Sequence, residues 1–351
     1  MKKLTSFDPD APAASDSLFG LPQIIKTARV VVLPVPWEVT VSYRSGTSKG
    51  PEAIKKASTQ VDLYDENILN AWKTGIVMED IPKKWIKKNK ELRPQAEKYI
   101  SLYLKAMEGK LKKKEQEKLR MLKKEINLVC GELKDWVYSR SANLLKHNKI
   151  VALLGGDHST PLGLMMCVAE KYNSFGILHI DAHCDLRNAY EGFTYSHASI
   201  MFNALKIKNM KTLVQVGIRD YSEGEAKLID TSKSRIKLFT AGSMNKKMFS
   251  GETWDDIAKK IVSHLPENVY ISFDIDGLNP LFCPNTGTPV PGGLEYLQAI
   301  HLLEEVVASG RKIVSFDLNE VAPGNDEWDA NVGARILYKM ANLAALSNDA
   351  G

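Results

Sequence analysis

From residue 149 onward, short β-branched runs alternate with stretches of helical spacing. KIVALLGG, FGILHID, TLVQVGI, RIKLF, NVYISFDID and KIVSFDL read as strands, and helices are predicted over 161–172, 223–230, 254–264, 293–309 and 332–347. An earlier apolar run, VVVLPV within 29–36, predicts a first strand. The Gly-rich loop WEVTVSYRSGTSKGPEAI follows it and leads into a helix near Pro51, where proline has no N–H to lose. Continuous apolar strands alternating with helices predict an α/β fold: a single doubly wound domain whose parallel sheet is covered on both faces. Ligands in such a sheet bind beyond the carboxyl ends of the strands.

Between the first strand and this regular part lies a long helical insert at about 83–148. Ile100, Leu104, Met107 and Leu111, then Leu119, Leu122, Ile126 and Val129, recur at three-to-four spacing, punctuated by Pro94 and Gly109. The net charge is +5, but residues 81–150 alone hold 20 basic against 8 acidic side chains. A solvated helix face accounts for these lysines; a basic patch for nucleic acid or an acidic partner is the alternative. No zinc-finger or RNP signature accompanies it, so nucleic acid is not the expected partner. Residues 1–28 read as an N-terminal arm and 29–351 as the α/β domain carrying the insert.

Composition narrows the class. With 44% hydrophobic and 25% charged residues over 351 positions, the chain is an ordinary globular protein, not a disordered chain, a collagen or a disulfide scaffold. No run approaches 18 apolar residues, so no membrane span is predicted. Lys2 and Lys3 follow Met1 without an apolar core behind them, which argues against a secretory signal. Cys130, Cys167, Cys184 and Cys283 are scattered without CxxC spacing and read as reduced thiols of a cytoplasmic protein.

Four strands end in acidic or histidine residues: Asp157-His158, then Asp181-Ala182-His183-Cys184-Asp185, then Asp274-Ile275-Asp276, then Asp317 with Glu320. One such end could be a helix N-cap. Several carboxylates converging at one sheet edge repel each other unless a cation holds them. Residues i and i+2 of a strand share a face, so Asp181 pairs with His183 and Asp274 with Asp276, and Asp185 joins them if the chain stays extended or turns gently. Two imidazoles (His158, His183) and four carboxylates (Asp181, Asp185, Asp274, Asp276) are too many ligands for one tetrahedral zinc. They suit two divalent ions about 3.5–4 Å apart. Oxygen-rich ligation favours Mn²⁺, with Ni²⁺ or Co²⁺ also allowed.

GGDHS, DAHCD, SFDIDGLNP with GTPVPGG, and DLNEVAP, in this order, resemble the ureohydrolase family of arginases and agmatinases over roughly residues 29–347. The resemblance implies the arginase-like three-layer α/β/α fold, two metal ions and a homo-oligomer, trimer or hexamer. It also implies a metal-bridging hydroxide that attacks a guanidinium carbon and releases urea. By the same resemblance, His158, Asp181, Asp185 and Asp274 hold one ion, and His183 with Asp181, Asp274 and Asp276 the other. His197 would shuttle a proton to the leaving amine, and Glu320 would pair with the guanidinium, with Thr288 nearby.

Departures bear on the substrate. Asn279 stands where the family usually has an acid; Tyr43-Arg44-Ser45-Gly46 replaces an Asn-Arg-Pro-Gly element; Leu186 and Arg187 follow DAHCD where arginases place an asparagine. Arg187 would repel an amine tail unless it is paired, with Glu191 a candidate. Trp37, Tyr190 and other aromatics could shape a pocket for a compact cation. The expected activity is that of an agmatinase, cleaving agmatine to putrescine and urea. Alternatives are a guanidine hydrolase, an arginase or guanidino-acid ureohydrolase, a formimidoylglutamase, or a non-catalytic protein acting through the basic insert.

Overall fold

The computed structural model describes residues 7–13 and 16–349. Residues 1–6 and 14–15 of the predicted arm, Lys2 and Lys3 among them, lie outside the described residues. The strands are β1 (Val30–Val35), β2 (Ile76–Met78), β3 (Ile150–Gly155), β4 (Phe175–Ile180), β5 (Met210–Ile218), β6 (Ile236–Thr240), β7 (Asn268–Asp274) and β8 (Lys312–Asn319). They form one sheet in the order β2-β1-β3-β8-β7-β4-β5-β6, and every pairing is parallel. The four strands whose ends carry the motifs, β3, β8, β7 and β4, are consecutive at its centre.

Alternation along the strands builds two cores. Val30, Val32, Ala152, Leu154, Leu178 and Ile180 face one layer. That layer holds helices α1 (Gly50–Ala57), α7 (Ala241–Phe249), α8 (Trp254–Ser263), α9 (Tyr296–Ala308) and α10 (Trp328–Ser347). Val31, Leu33, Val151, Leu153 and Ile177 face the other. Here pack α2 (Lys83–Met107), α3 (Lys113–Lys146), α4 (Leu162–Lys171), α5 (Ile200–Ala204) and α6 (Glu223–Thr231). This is the doubly wound arrangement that the uninterrupted apolar strands predict.

Three elements escape the periodicity. β2 is three residues long, too short to show a period, and α5 is a single five-residue turn. In α7, AGSMNKKMF buries only Ala241 and Met244, and its start is fixed by the Thr240 side chain accepting the Ser243 N–H. In the 83–148 region Gly109 (φ +70°) separates two helices, as predicted, but Pro94 lies inside α2 without ending it. Pro94 and Lys90 are exposed, so water can satisfy the carbonyl that proline leaves unpaired. The buried face of α2 is Trp85, Asn89, Leu92, Ala96, Tyr99 and Leu102, whereas Leu104 and Met107 point outward at 54% and 72% exposure. The apolar stripe read from the sequence is therefore out of phase at the end of α2. It is correct for Leu122 and Ile126 of α3, which are buried. Among the described residues no helix is long and apolar enough to cross a membrane.

Candidate metal centre

The carboxyl ends of β3, β7 and β4 bring six predicted side chains together. His158 Nδ1 lies 3.2 Å from Asp181 Oδ2, 3.3 Å from Asp185 Oδ2 and 3.2 Å from Asp274 Oδ2. His183 Nδ1 lies 3.2 Å from Asp276 Oδ2 and 3.4 Å from Asp181 Oδ1. Asp181 thus offers one oxygen to each group.

The backbone reaches this arrangement by means other than simple alternation. β7 stops at Asp274, and Ile275–Gly277 forms a tight turn in which the Asp276 N–H donates to Asp274 Oδ1 at 2.9 Å. Asp185 turns in at φ +53°, neither extended nor gentle. Such a left-handed non-glycine is held only where its surroundings impose it. The GGDH turn also needs its second glycine: a Cβ on Gly156 would sit 1.9 Å from the Trp37 carbonyl oxygen.

Beneath the cluster, four polar side chains stand in one cross-strand row: Gln215 opposite His179, His179 opposite Ser272, Ser272 opposite Asp317. All four are fully buried. The Ser272 hydroxyl donates to Asp317 Oδ1 at 3.0 Å, so it must accept from His158 Nε2–H at 2.8 Å. Tyr270 OH and the Asn319 amide complete the shell of Asp317 at 2.6 and 2.5 Å. Gln215 Nε2 donates to His179 Nδ1 and to the Cys184 carbonyl, so His179 carries its proton on Nε2 and donates to Asp181 Oδ2 at 2.8 Å.

These tautomers test whether cations fit. With its proton on Nε2, neutral His158 aims the Nδ1 lone pair at three carboxylate oxygens. Three carboxylate oxygens each 3.2–3.3 Å from that lone pair need a positive charge among them. Their spacing is also the donor–donor edge of about 3 Å found in octahedral sites with bonds near 2.1 Å. Without a metal, protons take that place. Burial opposes an imidazolium at His158, but hydrogen bonds to Asp181, Asp185 and Asp274 outweigh it and raise its pKa well above the usual value. Burial and then the Asp181 charge push Asp185 up to about 7. Burial, Asp276 and Asp181 likewise raise Asp274 well above the usual carboxylate value. The donor set fits a pair of divalent cations, with Asp181 shared between them.

The sequence model of the arginase family matches residues 28–342. The chain belongs to the arginase family. It is similar to an N(1)-aminopropylagmatine ureohydrolase of Thermus thermophilus, 30% identical over 91% of both chains. It is also similar to an agmatinase of Neisseria meningitidis, 31% identical over 91% of this chain and 88% of the relative. The crystal structure of an agmatine ureohydrolase of Thermoplasma volcanium shares the fold, with a TM-score of 0.72 over 96% of this chain and 97% of that one, at 20% identity. Like its family, the chain is a hydrolase of C–N bonds in linear amidines; that family depends on two metal ions, and the His/Asp cluster here could hold metal.

Above the candidate ligands lies a cavity of 170 Å³, lined among others by Ser42, Arg187, Tyr190, His197, Asp220, Thr288 and Glu320. Glu320 is strained at φ +64°, and the His158 backbone N–H donates to its Oε1 at 2.8 Å. Among the described residues its Oε2 is buried without a hydrogen-bond partner. Burial and then Asp157 raise its pKa well above the usual carboxylate value. A cation against Oε2 would relieve both. Burial and then the His183 charge lower His197 to about 4, so its imidazole is neutral at physiological pH. Its Nε2 is 3.5 Å from Ser42 Oγ, and its ring stands edge-on to Tyr190 at 6.2 Å. Thr288 Oγ1 donates to Asp276 Oδ2 at 3.4 Å.

Two expectations change. Trp37 is not at the cavity: it is fully buried against Trp85, ring centroids 5.8 Å apart, because its loop folds under α2. Arg187 pairs with Glu225 (Nε to Oε2, 3.6 Å), not Glu191, and its guanidinium lies 4.8 Å over the Tyr190 ring. Asn279 stays outside the donor cluster, bonded to Glu295 and the Leu281 N–H. His179, Ser272, Gln215 and Asp220 were not singled out. Only His179 had a legible signal, since it precedes Asp181 by two in β4 and shares its face.

Proposed function

We propose that the chain hydrolyses agmatine to putrescine and urea with two Mn²⁺ ions in the carboxylate cluster. The observation that carries this reading is the unpartnered, buried Oε2 of Glu320 beside that cluster. A planar guanidinium is the cation whose N–H groups match such a carboxylate. Asp220 favours an amine tail. It lines the same cavity, is exposed, and makes no ion pair among the described residues. Arg187, neutralised by Glu225, does not oppose that tail. Three strand spacings separate the ends of β8 and β5, about 14 Å, leaving room for a four-carbon diamine stretched between Glu320 and Asp220.

His158, Asp181, Asp185 and Asp274 would hold one ion, and His183, Asp181, Asp274 and Asp276 the other. When bound, the pair lowers the pKa of water toward neutrality. Glu320 holds the guanidinium with its carbon facing the cluster. Neutral His197 takes up a proton as water adds to that carbon and returns it to the nitrogen of the breaking C–N bond, so that the amine departs uncharged. The Arg187–Tyr190 stack walls the mouth.

A trimer or hexamer in the cytoplasm is the setting we infer. The exposed apolar side chains of Tyr64, Leu69, Leu281 and Leu297 suit subunit contacts, and the four cysteines are free and buried. The test is urea release from agmatine, guanidine, arginine and 4-guanidinobutyrate by protein reconstituted with Mn²⁺ or Ni²⁺. Urea mainly from agmatine is expected. Urea only from guanidine would move the substrate, and none from any would refute the reading.

A further inference from the structure

Helices α2 and α3 turn their lysines to solvent, but their other faces grip both loops of the cavity mouth. On the β1–α1 loop, the Glu38 N–H donates to Asn89 Oδ1 at 2.8 Å, and Arg93 Nη1 donates to the carbonyls of Val39 and Val41 at 3.1 and 2.6 Å. On the loop between β4 and α5, Tyr99 OH donates to the Glu191 carbonyl at 2.8 Å. Asn127 closes a two-point clamp there: its Nδ2 donates to the Gly192 carbonyl at 3.1 Å, and its Oδ1 accepts the Thr194 N–H at 2.7 Å. Phe193 packs on Tyr99, centroids 4.8 Å apart.

The clamped turn is one the chain would not adopt unaided. Ala189, Glu191 and Gly192 have φ of +49°, +52° and +84°. Side-chain-bearing residues rarely take that region and hold it only under outside restraint. Tyr190 sits in the turn, and His197 follows three residues after Thr194. His197 is also tied to the other gripped loop, through its N–H to Thr40 Oγ1 at 3.3 Å and its Nε2 near Ser42. One helical pair therefore holds both loops that flank the cavity histidine.

We propose that Asn127 and Tyr99 are positioning residues for proton transfer by His197, with the α2–α3 pair setting the 189–194 turn against the bound substrate. This rests on the reading of His197 given above. Neither residue touches the reacting atoms. Both act on where the imidazole stands, and a shift of about 1 Å in a reacting group costs on the order of a hundredfold in rate.

The test compares Asn127→Ala, Asn127→Asp and Tyr99→Phe with wild type in the Mn²⁺-loaded protein. Metal per chain, kcat, KM, the solvent isotope effect on kcat and amide exchange over 189–197 are measured. Asn127→Ala is expected to keep two metals and an unchanged KM while kcat falls about 10–100-fold. Its solvent isotope effect should rise, and exchange should quicken in 189–197 alone. Asn127→Asp, which keeps the acceptor for Thr194, should recover part of kcat, and Tyr99→Phe should fall between. The pair Lys113→Glu and Lys114→Glu, on the exposed start of α3, should leave kcat alone. Unchanged kcat in Asn127→Ala despite faster exchange overturns the proposal, as does a kcat loss that tracks metal loss. A wild type that releases urea from no guanidino compound fails the proposed reaction; an active wild type with a fully active Asn127→Ala fails this inference alone.

Discussion

Replacing Ser272 by alanine would remove one hydroxyl two layers below the substrate, yet it should be felt as weakened metal binding. Ser272 Oγ links His158 Nε2–H, at 2.8 Å, to Asp317 Oδ1, at 3.0 Å. Without it the buried His158 N–H has no acceptor, since Asp317 Oδ1 lies 3.7 Å away. Leaving such a donor unsatisfied costs about 1–3 kcal/mol. His158 can escape that cost by moving its proton to Nδ1, the atom that must stay bare to bind a cation. Either way the metal-bound state bears the loss, and outer hydrogen bonds of this kind are worth about 10–100-fold in metal affinity. The assay is Mn²⁺ titration against a competing chelator, with metal counted per chain. One of the two ions should bind 10–100-fold more weakly. Ser315→Ala is the control: Ser315 is equally buried on β8, and its hydroxyl donates to the Val151 carbonyl at 2.7 Å, away from the ligands. Wild-type affinity in Ser272→Ala, or an equal loss in Ser315→Ala, would refute the argument.

Other outcomes follow from the same geometry. His197→Ala should keep both metals and lower kcat by about 10²–10⁴, the scale of general acid–base catalysis, with metal content and steady-state rates as the check. In metal-free protein, Asp185 titrates at about 7 and His183 at about 12, both above their unfolded values. The folded state then holds protons that the unfolded chain has released, so metal-free stability falls as pH rises from 4 to 8. Bound cations replace those protons. The gap in Tm between Mn²⁺-loaded and chelator-treated protein should therefore widen with pH, and calorimetry in two buffers should detect proton release on metal binding. A gap that narrows with pH would contradict this. Gly156→Ala should abolish soluble folded protein, because its Cβ would meet the Trp37 carbonyl at 1.9 Å and backbone rather than side chain would have to yield.

The sequence alone determined the sheet, because strands buried on both faces must be apolar throughout and the helices between them must not be. It also pointed to six candidate ligands, since carboxylates and imidazoles grouped at strand ends have few neutral explanations. It did not reveal which ends meet: β3, β8, β7 and β4 lie far apart along the chain and become neighbours only through strand order. Nor did it reveal the row from Gln215 to Asp317, in which each residue reads as an isolated polar interruption of an apolar strand until the register aligns them. Trp37 looked like a pocket aromatic and is core, while Arg187, for which Glu191 was the candidate partner, pairs with Glu225, because burial and partners belong to the packed chain. The basic 83–148 stretch read as a solvated face, which holds for its lysines. Its other face, through Asn89, Arg93, Tyr99 and Asn127, grips loops distant in sequence. Periodicity marks which residues of a helix turn inward, but only the tertiary structure decides what they meet.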